Sequence, residues 1–317
     1  MGAAPQRLDL LGPLACAGER NHPPGDESQD SARKDSTDLK KRPLFSFDRF
    51  ILDMNDREQI RRIVELAENP QGELPVFFFD VDNCLYSRHS GILELMIQRY
   101  ICKNLEISVD LARKLQTRYY REYGLTIRGL LQHHGTIDPA QYNLEVDGGL
   151  PLEEILTPDL ELRRMLATLK GVKKWAFTNA GQAHAIRCLN LLGIYDLFDG
   201  ITYCDYTLPN FACKPEFRFY EQAMREAGVM DPRRCLLVDD SAMNVRAAMD
   251  LGWIGVYLGD LPSEHGHFQI EDIKDLPRVL PELWRGLASD EEEELDEGCE
   301  RVETLPIPIS QEIGAGS

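Results

Sequence analysis

Phe77-Phe78-Phe79-Asp80-Val81-Asp82-Asn83-Cys84-Leu85-Tyr86 decides how this chain folds. The apolar run over Val76–Phe79 has the length of a strand and no alternation, the pattern of a strand buried on both faces. It stops at two carboxylates one residue apart. Like charges this close repel, and each is costly to dehydrate without a partner. A hard cation with oxygen ligands relieves both problems, Mg²⁺ being the common one. Open α/β sheets bind their ligands beyond the carboxyl ends of the strands. The expectation is a metal-assisted site at the tip of the first strand of a parallel sheet. The plainer alternative is an edge strand running into a solvated turn.

On the amino-terminal side, Ile60, Ile63, Val64 and Ala67 follow helical spacing and predict a helix over 55–67, stopped by Pro70 and Gly72. On the carboxyl side, residues 89–149 carry helical patterns only: Ile92, Leu93, Leu95, Met96, Tyr100 and Ile101, then Leu111, Leu115, Tyr119 and Tyr120, then Leu125, Ile127, Leu130 and Leu131. Strand and helix alternate from there. Helices are predicted over 157–169, 182–192, 215–227, 242–251 and 276–287, the first opening on Thr157 as cap with Pro158 at the first helical position. Strands are predicted over 175–178, 201–203, 235–238 and 254–258. Such alternation implies a parallel sheet covered by helices on both faces. The domain reading is a core of 45–88 and 150–288 with a helical insert of 89–149. It is flanked by a Pro-, Gly-, Ser- and charge-rich segment, 1–44, and an acidic tail, 289–317, both expected to be disordered.

Composition narrows the function classes. With 35 Lys and Arg against 53 Asp and Glu, the net charge of −18 argues against a nucleic-acid surface. The run Ser289-Asp290-Glu291-Glu292-Glu293-Glu294 reads as a solvating tail, or as one that binds an unidentified protein. The eight cysteines form no C-x-x-C pair, so neither a zinc knuckle nor a thioredoxin motif is expected, and scattered free thiols suit a reducing compartment. No apolar run approaches the roughly 18 residues of a membrane helix, and no signal-peptide pattern opens the chain. A cytoplasmic protein, also compatible with the nucleus, is the expectation.

Three predicted strands end in polar residues at one sheet edge: Asp80 and Asp82, Thr178 and Asn179, Asp239 and Asp240 followed by Ser241. Lys214 stands just before the helix that Pro215 opens. Each has a plain reading, as a helix cap or a solvated lysine. Together they form a kit for phosphoryl transfer. One carboxylate attacks phosphorus, a second gives and takes protons, a hydroxyl and backbone N–H groups hold phosphoryl oxygens, a lysine supplies fixed positive charge, and Mg²⁺ bridges carboxylate and phosphoryl oxygens.

In this order, Asp80-Val81-Asp82-Asn83-Cys84, Thr178, Lys214-Pro215 and Asp239-Asp240-Ser241 resemble the motifs of the haloacid dehalogenase-like superfamily, over roughly residues 75–260. The resemblance implies a Rossmann-like parallel core with an inserted helical cap. It implies Asp80 as nucleophile, Asp82 as general acid and base, and Thr178 and Lys214 on the phosphoryl group. Mg²⁺ would sit on Asp80, Asp240 and the Asp82 carbonyl, supported by Asp239. Cys84 departs from the Thr usual there. Within the superfamily, Arg118–Leu130, Thr178-Asn179-Ala180, His184–Leu189 and Phe198–Tyr206 are similar to fungal pyrimidine 5′-nucleotidases. That similarity implies hydrolysis of UMP or CMP to nucleoside and phosphate, with a small-molecule phosphomonoester as the partner. By side-chain chemistry, Tyr119, Tyr120 and Tyr123 offer rings to stack on a base and Arg128 a partner for a carbonyl or phosphate oxygen. Tyr119 and Tyr120 also read as core aromatics of an amphipathic helix, so Tyr123 and Arg128, near a glycine-marked junction, are the expected contacts. Two alternatives stay open: a lysophosphatidate or sugar-phosphate phosphatase of the same fold, and a non-catalytic interaction protein that uses the tail.

Overall fold

A computed structural model of the chain describes residues 47–68, 72–86, 91–260 and 266–284. The segments 1–44 and 289–317, with Cys16 and Cys299, lie outside the described residues. Helix α1 (Phe47–Glu68) leads to β1 (Val76–Phe79). A stretch without strands follows: α2 (Ile92–Leu105), α3 (Val109–Tyr123), α4 (Thr126–His133), α5 (Pro139–Tyr142), a π-helical turn at Asn143–Asp147, and α6 (Leu152–Ile155). Alternation then sets in with α7 (Leu160–Thr168), β2 (Lys173–Phe177), α8 (Gln182–Leu191), β3 (Gly200–Thr202), α9 (Phe217–Ala227), β4 (Cys235–Asp239), α10 (Ala242–Asp250), β5 (Ile254–Leu258), β6 (Phe268–Ile270) and α11 (Leu276–Val279).

The six strands form one sheet of order β3-β2-β1-β4-β5-β6, every pairing parallel. This is the Rossmann-like α/β arrangement. β1 lies at its centre, and each of its residues is fully buried because helices cover both faces. Alternate side chains serve opposite layers. Phe77 and Phe79 pack with Ile60 and Ile63 of α1, Leu162 and Leu166 of α7 and Leu189 of α8. Val76 and Phe78 pack with Phe219 and Tyr220 of α9, Ala248 of α10 and Trp253.

Four expectations need correcting. The helix expected from Thr157 starts at Leu160. Asp159 caps it by accepting from the N–H groups of Glu161 (3.1 Å) and Leu162 (2.9 Å), and a carboxylate serving two donors outcompetes Thr157. The helix expected from Pro215 begins at Phe217, after a cis Lys214-Pro215 peptide. Among the described residues, the closing helix expected over 276–287 is only α11 and a 3₁₀ turn at Pro281–Leu283; 285–287 lie outside them. Pro281 lacks the N–H that would continue it. Strand β6 has no counterpart in the sequence reading: three residues with one polar side chain carry too little pattern.

Candidate active site

Parallel register puts the site together. Phe79 pairs with Val238, and the Asp80 N–H donates to the Val238 carbonyl at 3.0 Å, so Asp80 and Asp239 leave adjacent strands side by side. Phe79 also pairs with Ala176, so Thr178 emerges next to them from β2. Asn83 turns the chain in the left-handed region (φ 61°), which asparagine tolerates better than most residues. Cys84 is buried beneath this turn and its thiol faces the Val238 carbonyl at 3.7 Å.

Lys214 is buried to 1% exposure at the centre. Its Nζ donates to Asp80 Oδ1 (2.7 Å), Asp239 Oδ2 (2.7 Å) and the Phe177 carbonyl (2.6 Å). Burial alone would depress this amine, but Asp239 and Asp80 outweigh it and hold the ammonium charged. Burial pushes Asp80 well above the ordinary carboxylate range; Lys214 pulls it back, while Asp239 and Asp240 push it further up. Asp239 also accepts from the Ser241 N–H (2.8 Å) and from Asn244 Nδ2 (3.0 and 3.1 Å).

Carboxylate oxygens of Asp80, Asp239 and Asp240 lie within 4.8 Å of one another. An all-oxygen, anionic donor set of this kind fits Mg²⁺. Asp239 is already committed to Lys214, Ser241 and Asn244, whereas Asp80 and Asp240 border the cavity. Thr178 is buried, borders the same cavity, and its Oγ1 accepts from the Ala180 N–H at 3.0 Å, which leaves the hydroxyl proton available to an anion. Asn179 grips the lysine's backbone: its Oδ1 accepts from the Lys214 N–H (2.7 Å) and its Nδ2 donates to the Lys214 carbonyl (3.0 Å).

The Asp82 carboxylate turns to His184 on the first turn of α8. His184 Nε2 lies 2.6 Å from Asp82 Oδ1, and the Tyr86 hydroxyl donates to the same oxygen. Burial would raise Asp82, but His184, with hydrogen bonds from His184 and Tyr86, holds it below its ordinary value. For His184 burial works downward and Asp82 wins, raising the imidazole well above its usual range. The two groups therefore hold one proton between them.

A cavity of about 440 Å³ opens over these groups. Its far wall comes from α2 and α3, including Glu94, Gln98, Arg113, Gln116 and Thr117. Gln98 Nε2 donates to Gln116 Oε1 at 2.8 Å across the two helices. Asp147, Tyr206 and Tyr142 line another side. Asp147 is buried; its Oδ2 accepts from the Gly181 N–H (3.3 Å) and the Tyr206 hydroxyl (3.2 Å), and burial pushes its carboxyl up to about 6.

Asp80, Asp82, Thr178, Asn179, Lys214 and Asp240 thus border one cavity, with Asp239 directly behind. Tyr123 and Arg128 do not border it. Arg128 pairs with Glu216 and contacts Cys213 Sγ at 3.3 Å, and the Tyr123 hydroxyl meets His133 Nε2 at 2.6 Å. The glycine junction beside both closes a packed helix corner, and the helical wall of the cavity comes from α2 and α3 instead. His184 enters the sequence reading only as part of a resembling stretch, with no role, and the Gln98–Gln116 pair escapes it altogether. A polar side chain on an amphipathic helix carries no mark of which neighbour it meets.

A model of haloacid dehalogenase-like hydrolases matches residues 74–252, more than half of the chain. Phosphate metabolism protein 8 of Saccharomyces cerevisiae is 37% identical over 263 residues, covering 74% of this chain and 82% of that protein. A sesquiterpene phosphatase of Aspergillus oryzae is 32% identical over 148 residues, covering 40% and 69%. Among solved structures, β-phosphoglucomutase from Clostridium difficile superposes with a TM-score of 0.45 at 18% identity, covering 66% of this chain and 96% of that one.

Proposed function

This chain belongs to the haloacid dehalogenase-like hydrolases, and from that membership we propose that it is a Mg²⁺-dependent phosphatase of nucleoside 5′-monophosphates, with UMP and CMP as its preferred substrates. The observation that carries the substrate class is the wall facing the carboxylates. Among the apolar Leu93, Ile97 and Leu125, it places Glu94, Gln98, Arg113, Gln116 and Thr117, whose amide, hydroxyl and charged groups suit a base and ribose better than an acyl chain. The volume of about 440 Å³ lies within the range of small-molecule sites.

Each residue has a role in the proposed reaction. Asp80, held by Lys214, attacks phosphorus; the bond from phosphorus to the nucleoside oxygen breaks as the aspartyl-phosphate forms. The proton held between Asp82 and His184, 2.6 Å apart, passes to the departing oxygen. Asp82 then takes a proton from the water that attacks the aspartyl-phosphate, releasing phosphate and restoring Asp80. The Thr178 hydroxyl holds a phosphoryl oxygen. Lys214 balances the charge that builds up next to Asp80. Asp80 and Asp240 would hold Mg²⁺, with Asp239 behind them; when bound, the ion supplies charge neutralisation between carboxylate and phosphoryl oxygens.

Phosphate release from UMP, CMP, dUMP, AMP, GMP, lysophosphatidate and sugar phosphates, with and without Mg²⁺, tests the proposal. Preference for UMP and CMP that requires Mg²⁺ and disappears in Asp80→Asn is the expected result. Preference for lysophosphatidate or a sugar phosphate overturns the substrate and leaves the chemistry. No release from any substrate by a folded protein overturns both.

A further inference from the structure

Beside the oxygen-only cluster the fold builds a second donor set of different character. His184 and Cys188 stand four residues apart on α8, so both face the same way, as metal-binding pairs on helices do. Asp82, from the turn after β1, completes the group. One ligand atom from each of Asp82, His184 and Cys188 lies within 4.8 Å of the others. The His184 side chain is 2% exposed and the Asp82 side chain 15%. Both border the active-site cavity, which gives an ion a way in.

We propose that Asp82, His184 and Cys188 form a zinc-binding site that shuts the enzyme off by capturing its general acid. One carboxylate, one imidazole and one thiolate suit Zn²⁺ and are a poor match for Mg²⁺. The geometry is close to what the ion needs. With ordinary bond lengths and a tetrahedral angle, nitrogen and sulfur ligands stand about 3.5 Å apart. Cys188 Sγ and His184 Nε2 are 3.5 Å apart here. Asp82 Oδ1, at 2.6 Å from Nε2, has to draw back by about 0.7 Å, to the roughly 3.3 Å that oxygen and nitrogen ligands of a tetrahedral ion keep. Zn²⁺ displaces the thiol proton of Cys188 and the proton between Asp82 and His184, and both go to solvent. Asp82 and His184 border the cavity, from which water or a phosphoryl oxygen can supply the fourth ligand. With Asp82 coordinated, no proton reaches the departing nucleoside oxygen, while the Mg²⁺ site at Asp80 and Asp240 is untouched.

Cys188 has no part in the reaction derived above, so Cys188→Ala separates inhibition from turnover. The full chain, saturated with Mg²⁺ and hydrolysing UMP, is titrated with ZnCl₂. The wild type is expected to lose activity at micromolar Zn²⁺. Cys188→Ala is expected to keep its basal rate and to need at least about tenfold more Zn²⁺. CoCl₂ gives a second readout: a thiolate-to-cobalt charge-transfer band in the wild type, absent from Cys188→Ala and, should alanine disturb folding, from Cys188→Ser. Superimposed zinc curves with no difference in the cobalt spectra overturn the proposal, as does a wild type indifferent to both metals. The inhibition assay rests on the proposed UMP hydrolysis. The cobalt band needs no turnover, so a wrong substrate and a wrong metal site give different results.

Discussion

Lys214 directs its ammonium protons to three different oxygens, on Asp80, Asp239 and Phe177, leaving none for solvent. The burial of both carboxylates depends on this cation. Replacing it with the similarly shaped methionine leaves two buried acids without a counter-charge, and losing one partner of a buried ion pair costs on the order of 3–5 kcal/mol. Lys214→Met is expected to lose stability of that size at pH 7.5, measured by urea unfolding. Its deficit should shrink towards pH 5, because Asp80, whose carboxyl burial already pushes up, takes a proton more readily without the lysine's charge. Turnover should fall by about 100-fold or more through loss of the fixed charge beside the nucleophile. A stability deficit independent of pH would contradict this role for the lysine. Lys214 is legible in the sequence only through its company. Alone before a proline it looks like a solvated loop lysine, and only the strand ends around it give it a role.

A second prediction belongs to the same scale. Asp147 is a buried carboxyl raised to about 6 by burial, with His184 pulling down, Asp82 pushing up, and the Gly181 N–H and Tyr206 hydroxyl donating to it. Tyr142 lies on the same side of the cavity. The folded value lies above the unfolded value of 3.8, so the native state holds the proton more tightly. Its contribution to stability is full below about pH 4 and is lost as pH rises through about 6. The loss amounts to about 3 kcal/mol at neutral pH. Both donors meet Oδ2, so an asparagine carbonyl can accept from them. Asp147→Asn is therefore expected to melt above the wild type at pH 7.5 and by a clearly smaller margin at pH 4.5. Nothing in the sequence marks Asp147, which sits in an acidic, glycine-flanked stretch that reads as surface.

At the level of elements, the corner between α3 and α4 ties the helical segment to the catalytic lysine. Gly124 ends α3 at φ 74°, and a Cβ there would come within 2.5 Å of the Lys214 carbonyl oxygen. Asn179 holds that carbonyl from the other side at 3.0 Å, so the lysine's backbone has no room to yield. Gly124→Ala meets both a left-handed backbone, about 1–2 kcal/mol, and this clash. Gly91 also has a positive φ (58°), but a Cβ there would meet nothing within 4 Å. Circular-dichroism melts and UMP turnover on both variants separate the effects. Gly91→Ala should lose a little stability and no turnover, whereas Gly124→Ala should lose both, because displacing Lys214 disturbs Asp80. Equal turnover in the two variants would sever the proposed link. Element types are legible where period and length agree, as in β1, α8 and α10. Ends are not, because Asp159 and Pro281 act through cap and backbone hydrogen bonds that hydrophobic spacing does not register.

Across the whole molecule, the parallel order β2-β1-β4 gathers acids from separate parts of the chain at one point, in a protein whose net charge is already −18. That gathering is foreseeable, because strand-and-helix alternation makes the sheet parallel and a parallel sheet aligns all its carboxyl ends on one edge. Which helical side chains close the cavity is not, because cap packing follows from tertiary contacts alone. The crowded carboxylates of Asp80, Asp239 and Asp240 repel one another, with Lys214 as their central counter-charge. A cation that binds only the folded state stabilises it by about 2.7 kcal/mol at a hundredfold excess over Kd. For a chain of this size that is a rise of several degrees in melting temperature. Mg²⁺ is expected to raise the melting temperature of the wild type in this way, at constant ionic strength maintained with NaCl. Asp240→Asn should abolish most of the rise, because it removes a ligand and part of the repulsion that the ion relieves. If the increment persists in Asp240→Asn, the ion binds elsewhere and Asp240 is not its ligand.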